Sequence, residues 1–170
     1  MRLSEFTVAG ALLESAEGLL LVQNRRRNGT LDWSTPGGVI DATDASLLLG
    51  LAREVEEETG LRVTAWEGPL YEVRATATEL GWSMRCEVHR ALGFDGDLRI
   101  DDPDGIVVDA CFATSDRWPD LLGTCAAWVR EPLAEWLASR WGPGEHRRYE
   151  YDVLGAHRDD VQVVRTAPAS

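Results

Sequence analysis

Gly37-Gly38-Val39-Ile40-Asp41-Ala42-Thr43-Asp44 is followed, after eight residues, by Arg53-Glu54-Val55-Glu56-Glu57-Glu58-Thr59-Gly60-Leu61. The second run and the residues before it predict a helix from about Ser46 to Thr59, stopped by Gly60. On that helix Glu54, Glu57 and Glu58 stand at i, i+3 and i+4 and share one face, while Glu56 points away into solvent. Leu47, Leu51 and Val55 form a separate apolar stripe that should face a core. Three like charges on one face repel, and acids near a helix C-terminus oppose its dipole. A chain that accepts both costs is either displaying an ordinary solvated acidic face or presenting oxygen ligands to a hard divalent cation such as Mg²⁺ or Mn²⁺. The glutamate spacing alone leaves both open.

Outward from this helix, the chain reads as strands. Phe6 to Leu13 and Gly18 to Gln23 suggest a hairpin, and Leu61 to Trp66, Leu70 to Ala77, Ser83 to Phe94 and Val107 to Ala113 have strand character. A late helix is expected from Cys125 to Ser139, with Pro132 starting its main part or kinking it. Strands around one central helix, with a second helix late, indicate an α/β or α+β sandwich with mixed sheets. Residues 1–141 read as one domain. Residues 142–170 read as a C-terminal extension, whose Tyr149 to Leu154 and Val161 to Val164 alternate as strands do. Such strands need a surface, either this chain's own sheet edge or the edge of a second copy in a homodimer.

The 170 residues carry a net charge of −12. This argues against duplex nucleic acid or an anionic membrane as partner, but not against a small phosphorylated ligand, since a metal ion inverts the local field. All 17 basic residues are Arg, so Schiff-base chemistry through Lys is excluded and a phosphate clamp must use guanidinium forks, backbone N–H groups or a metal. No apolar run is long enough to span a bilayer, and no signal peptide opens the chain, so a cytoplasmic location is expected. Cys86, Cys111 and Cys125 have no metal-site spacing and read as free thiols.

The two quoted runs resemble the Nudix box, G-x5-E-x7-R-E-U-x-E-E-x-G-U with U aliphatic. Arg53 to Leu61 match its second half at every fixed position, and Trp33 and Pro36-Gly37-Gly38 resemble what precedes the box in MutT-like members. Two departures stand out: Asp44 replaces the usual Glu, and eight residues rather than seven separate it from Arg53. Asp44 is therefore expected to contribute less than the later glutamates.

The resemblance implies a Nudix-type α/β/α sandwich with a mixed sheet. It implies metal-dependent hydrolysis, with Mg²⁺ or Mn²⁺, of a diphosphate bond in a small nucleoside diphosphate derivative, with a (d)NTP as the default substrate. By the same resemblance Glu57 and Glu58 would bind the metal, with Glu54 a third ligand or the base. The Gly38 carbonyl would face the ion, and Arg53 would orient Glu57. Either Glu54 or Glu57 would take the proton from water. Arg25, Arg26 and Arg27 precede Pro36, and Arg25 or Arg27 would hold a terminal phosphate, with Trp33 lining the cleft. The family often carries a further acid in an Asp-Gly-Glu-Val type sequence, where this chain has Asp104-Gly105-Ile106-Val107, leaving Asp101, Asp102 and Asp104 as possible substitutes. The competing reading is a non-catalytic Nudix-fold sensor that binds a nucleotide without turning it over.

Overall fold

The computed structural model describes residues 2–167. The apolar alternation near the N-terminus becomes strand β1 (Ser4–Leu12), and that alternation divides the interior in two. Leu12 faces one core, while Ala9 and Ala11 face the other. The next strands are β2 (Glu14–Ser15), β3 (Gly18–Arg25), β4 (Leu31–Ser34) and β5 (Gly37–Val39). In β3, Leu19 and Leu21 join the first core and Leu20 the second. A period of two therefore places successive side chains in opposite layers.

The expected hairpin between the first two strands does not form. β1 pairs in parallel with β7 (Trp82–Asp95) and antiparallel with β5, whereas β3 belongs to another sheet. Only the two residues of β2 turn back on β3. Both strands are where the pattern puts them, but alternation does not specify a partner.

After β5 come α1 (Leu47–Thr59), β6 (Arg62–Ala77), β7, β8 (Val107–Ala113), α2 (Trp118–Leu122), α3 (Ala127–Ser139), β9 (Arg147–His157) and β10 (Asp160–Thr166). The six-stranded sheet runs β10-β9-β6-β7-β1-β5 and is mixed, since β1–β7 and β6–β9 are parallel pairs. In the second sheet β3 is central, with β2 and β4 on one edge and β8 on the other. Leu51 and Val55 of α1 pack into one core, and Leu133 and Trp136 of α3 into the other, which gives the α/β/α layering. The two strands read between Leu61 and Ala77 are one strand, β6, with its register shifted on either side of Gly68 and Pro69. Pro132 lies inside α3 and is buried there. Among the described residues no helix is long and apolar enough to cross a membrane.

The C-terminal strands extend this chain's own sheet. β9 lies parallel to β6, and β10 lies antiparallel to β9 at the sheet edge. Tyr149, Tyr151 and Val153 of β9 are buried in the same core as Tyr71 and Val73 of β6. The Tyr149 hydroxyl donates to Glu135 of α3 at 2.8 Å, and Arg165 of β10 donates to the same carboxylate at 2.6 Å. Trp141 leads into this extension with its indole N–H on the Leu70 carbonyl at 2.8 Å.

Tyr151 is among the largest fully buried side chains, at 1% exposure. Tyr151→Ala is therefore expected to cost about 3–5 kcal/mol, the range for emptying an aromatic-sized space in a core. Denaturant unfolding of the full chain measures this, and a loss below about 1 kcal/mol would show that the extension is not part of the core.

Candidate active site

Helix α1 opens on Ser46, whose hydroxyl accepts from the Leu49 N–H at 3.1 Å, and closes on Gly60. It runs unbroken, so the residue inserted between Asp44 and Arg53 is taken up in the turn from Asp41 to Ser46. There the Asp44 carboxylate accepts from its own loop, at the Asp41 N–H, at 2.9 Å. It also accepts from Arg53, with Oδ1 on Nε and Oδ2 on Nη2, both at 3.0 Å. This bidentate pair holds the Asp44 carboxyl below the ordinary carboxylate range and raises the Arg53 guanidinium. Gly50 serves the same contact. A Cβ there would lie 2.8 Å from Asp44 Oδ2 and 3.0 Å from Ile40 Cδ1, so its small size makes room for the loop acid and for Ile40.

The third Arg53 nitrogen, Nη1, donates to Glu54 Oε1 at 3.1 Å and to Glu57 Oε2 at 3.2 Å. One guanidinium thus connects the loop to two of the helix glutamates. Glu54 and Glu58 enter a cleft of about 450 Å³ beside Gly37 and Gly38, with Asp102 and Asp104 opposite. The Gly37 N–H donates to Glu58 Oε2 at 3.2 Å, and a Cβ on Gly38 would lie 2.6 Å from Glu54 Oε2. Glu57 faces instead a second hollow, of about 350 Å³, shared with Arg53, Glu56, Arg99 and Asp101. Glu56 is exposed, as its place on the helix requires.

Burial, with Glu54, Asp102 and Glu57 nearby, pushes the Glu58 carboxyl up to about 8 against the single Gly37 hydrogen bond. Burial also raises Glu54, with Arg53 opposing and Glu57 and Asp104 adding to it. Among the described residues no three metal-donor side chains already converge on one point. The donors nevertheless fit a hard cation. Two carboxylates are partly buried at a polar backbone edge, both resist ionisation, and the acids opposite have the same sign.

The remaining expected residues divide. Asp102 caps its own loop, with Oδ2 accepting from the N–H groups of Ile106 and Val107, each at 2.9 Å, and it still lines the cleft. Ile106 lines it too. Of the three adjacent arginines it is Arg26 that lines the cleft; Arg25 and Arg27 do not. Trp33 packs against the core on β4, which meets α2; its backbone N–H donates to the Thr124 hydroxyl at 2.8 Å, and it is not among the residues lining the cleft. The sequence reading overlooked Asn24, which sits buried in the cleft with its amide on Asp32 at 3.0 Å and Ser34 at 2.9 Å. Asn24 and Arg26 are two apart, so extending the strand parity by one step finds both. Cys86 also lines the cleft, but burial pushes its thiol up to about 12, which leaves it a packing group rather than a nucleophile.

The NUDIX domain family matches residues 5–122 of this chain. A MutT-like protein of Streptomyces ambofaciens is 46% identical over 61 residues, which span 36% of this chain and only 37% of that protein. Among solved structures, the MutT protein of Methanosarcina mazei superposes with a TM-score of 0.65 at 21% identity, covering 82% of this chain and 98% of that one. The MutT protein of Bacillus halodurans gives a TM-score of 0.62 at 19% identity, covering 94% and 97%, so that likeness of fold reaches into the C-terminal strands. A family match over most of the chain, on a fold shared with these structures, establishes that the chain belongs to the Nudix family.

Proposed function

We propose that this protein hydrolyses a diphosphate bond in a small nucleoside diphosphate derivative, a nucleoside triphosphate being the simplest case, with Mg²⁺ or Mn²⁺ as cofactor. The observation that carries this reading is the convergence of Glu54 and Glu58 on the Gly37–Gly38 edge in one cleft, with Arg26 also lining it. Glu54, Glu58 and the Gly38 carbonyl would hold the cation, and Glu57 would complete the set from the neighbouring hollow. When bound, such an ion neutralises the diphosphate and lowers the pKa of water. Arg53 fixes Glu54 and Glu57 relative to each other, and Asp44 in turn fixes Arg53. Of Glu54 and Glu57, Glu54 is the better placed to take a proton from water, because it faces the cleft itself. Arg26 offers the cleft a cation for phosphate oxygens, although Asp32 holds it at 2.8 Å through Nη2.

Ile106 favours the sensor reading, since an apolar side chain lines the cleft where the family resemblance places a carboxylate. Turnover separates the two. Purified protein is offered nucleoside triphosphates, nucleotide sugars and dinucleoside polyphosphates with Mg²⁺ or Mn²⁺, and products are read by mass. Diphosphate cleavage is the expected result; binding with no turnover of any of them would favour the sensor.

For the active protein, Glu54→Gln and Glu58→Gln are each expected to lower turnover by about 100-fold or more with the fold intact. Glu56→Gln should leave it near normal, and Asp44→Asn should cost less than Glu58→Gln because Asp44 acts only through Arg53. Equal activity across the four variants would remove the assignment.

The raised Glu58 carboxyl gives a pH signature. The folded protein keeps a proton that the unfolded chain loses above its ordinary value of 4.5, so without cation stability should fall as pH rises from about 5 to about 8. Glu58→Gln should flatten that slope, and Mg²⁺ should bind more tightly with rising pH because it displaces the proton. Thermal melts in a chelator across this range, repeated with Mg²⁺, measure both effects; a melting temperature that rises from about 5 to about 8 without cation would contradict them.

A further inference from the structure

The cleft does not end at the acids. It continues under Trp128 and Val129 through a narrow hollow of about 100 Å³, floored by Val8, Met84 and Cys86. Beyond lies a wider trough of about 620 Å³. Val8, Val39 and Arg26 line both the acid cleft and this trough, so the two are continuous. The trough is apolar, with Phe6, Trp82, Met84 and Trp128 on its floor and inner wall, and Trp82 meets Trp128 edge to face at 6.2 Å. Its outer wall is the C-terminal hairpin: Val153 from β9, Val161 from β10 and Arg158 from the turn between them. In a chain of net charge −12, the charged residues lining the trough among the described residues are Arg26 and Arg158, both basic.

We infer that the C-terminal hairpin is a substrate-recognition element, and that Arg158 and Val161 close, opposite Trp82 and Trp128, a subsite for the base of a nucleotide. This rests on the function proposed above, which puts the diphosphate at Glu54 and Glu58. The phosphates then pass Arg26, which lines both spaces, and the flat base enters the trough. Indole rings and a guanidinium plane stack on a base regardless of its identity, and an apolar floor excludes water beneath it. Phe6 and Val39, 44% and 50% exposed, are apolar groups at the rim that a bound base would cover.

The test uses the full chain and needs no catalysis. Nucleoside monophosphates of the four common bases are titrated against tryptophan fluorescence, with ribose 5-phosphate as the probe that lacks a base. Saturable quenching by the nucleotides and none by ribose 5-phosphate is expected. Arg158→Ala and Val161→Asp should each weaken binding by about tenfold or more. Glu56→Gln, exposed and outside both spaces, should leave it unchanged. Quenching undiminished in both hairpin variants, or no quenching by any of the four, would overturn the inference. The proposed hydrolysis fails separately: base binding without turnover would sink hydrolysis and keep the subsite. Turnover whose KM ignores Arg158 and Val161 would sink the subsite and keep hydrolysis.

Discussion

The site depends on a close approach between a glycine backbone and two carboxylates. Gly37 lies at φ 152°, and a Cβ there would come within 2.1 Å of the Ala9 carbonyl oxygen. Gly38 pairs with Ala9 across β1 and β5, which fixes this segment to the sheet edge. The missing side chains let Glu54 and Glu58 rest against the backbone itself. The helix is pressed to this edge by Leu51 and Val55, fully buried on its other side. Hydrophobic packing on one face of α1 therefore supplies the force that holds like charges together on another. Such burial is worth about 1.5–3 kcal/mol per side chain, more than the few tenths that an exposed like-charged pair costs.

Arg53 distributes the remaining electrostatic strain. It takes both oxygens of Asp44 and shares its third nitrogen between Glu54 and Glu57. Glu58 receives no such help; its one hydrogen bond comes from the Gly37 backbone. The helix thus carries one acid tied to arginine at the lip, one tied to arginine inside the cleft, and one buried with a strong preference for its proton. A divalent cation would relieve the last of these most, because it exchanges with the proton that burial now holds.

Much of this was readable from residue order. The helix, its Ser46 start and Gly60 stop, the split of Glu56 from Glu54 and Glu58, and the apolar stripe all follow from a period of 3.6. Less of the lining was readable, because it depends on which strands become neighbours. Trp33 and the arginine run sit close to Pro36 in sequence, yet Arg26, just past the end of β3, reaches the cleft while Trp33 of β4 packs on the core. The C-terminal strands were legible as strands in need of a sheet edge, but the particular strand they join was not. Their partner, β6, lies about 70 residues earlier, and alternation carries no information about such pairings.

The most direct test of the account is the position of a bound cation. Crystals of the full chain soaked in Mn²⁺ would be read in an anomalous difference map. The expected peak lies between the Glu54 and Glu58 carboxylates and the Gly38 carbonyl. A peak confined to the neighbouring hollow by Glu56 and Asp101, or no peak at a Mn²⁺ concentration that supports turnover, would contradict it.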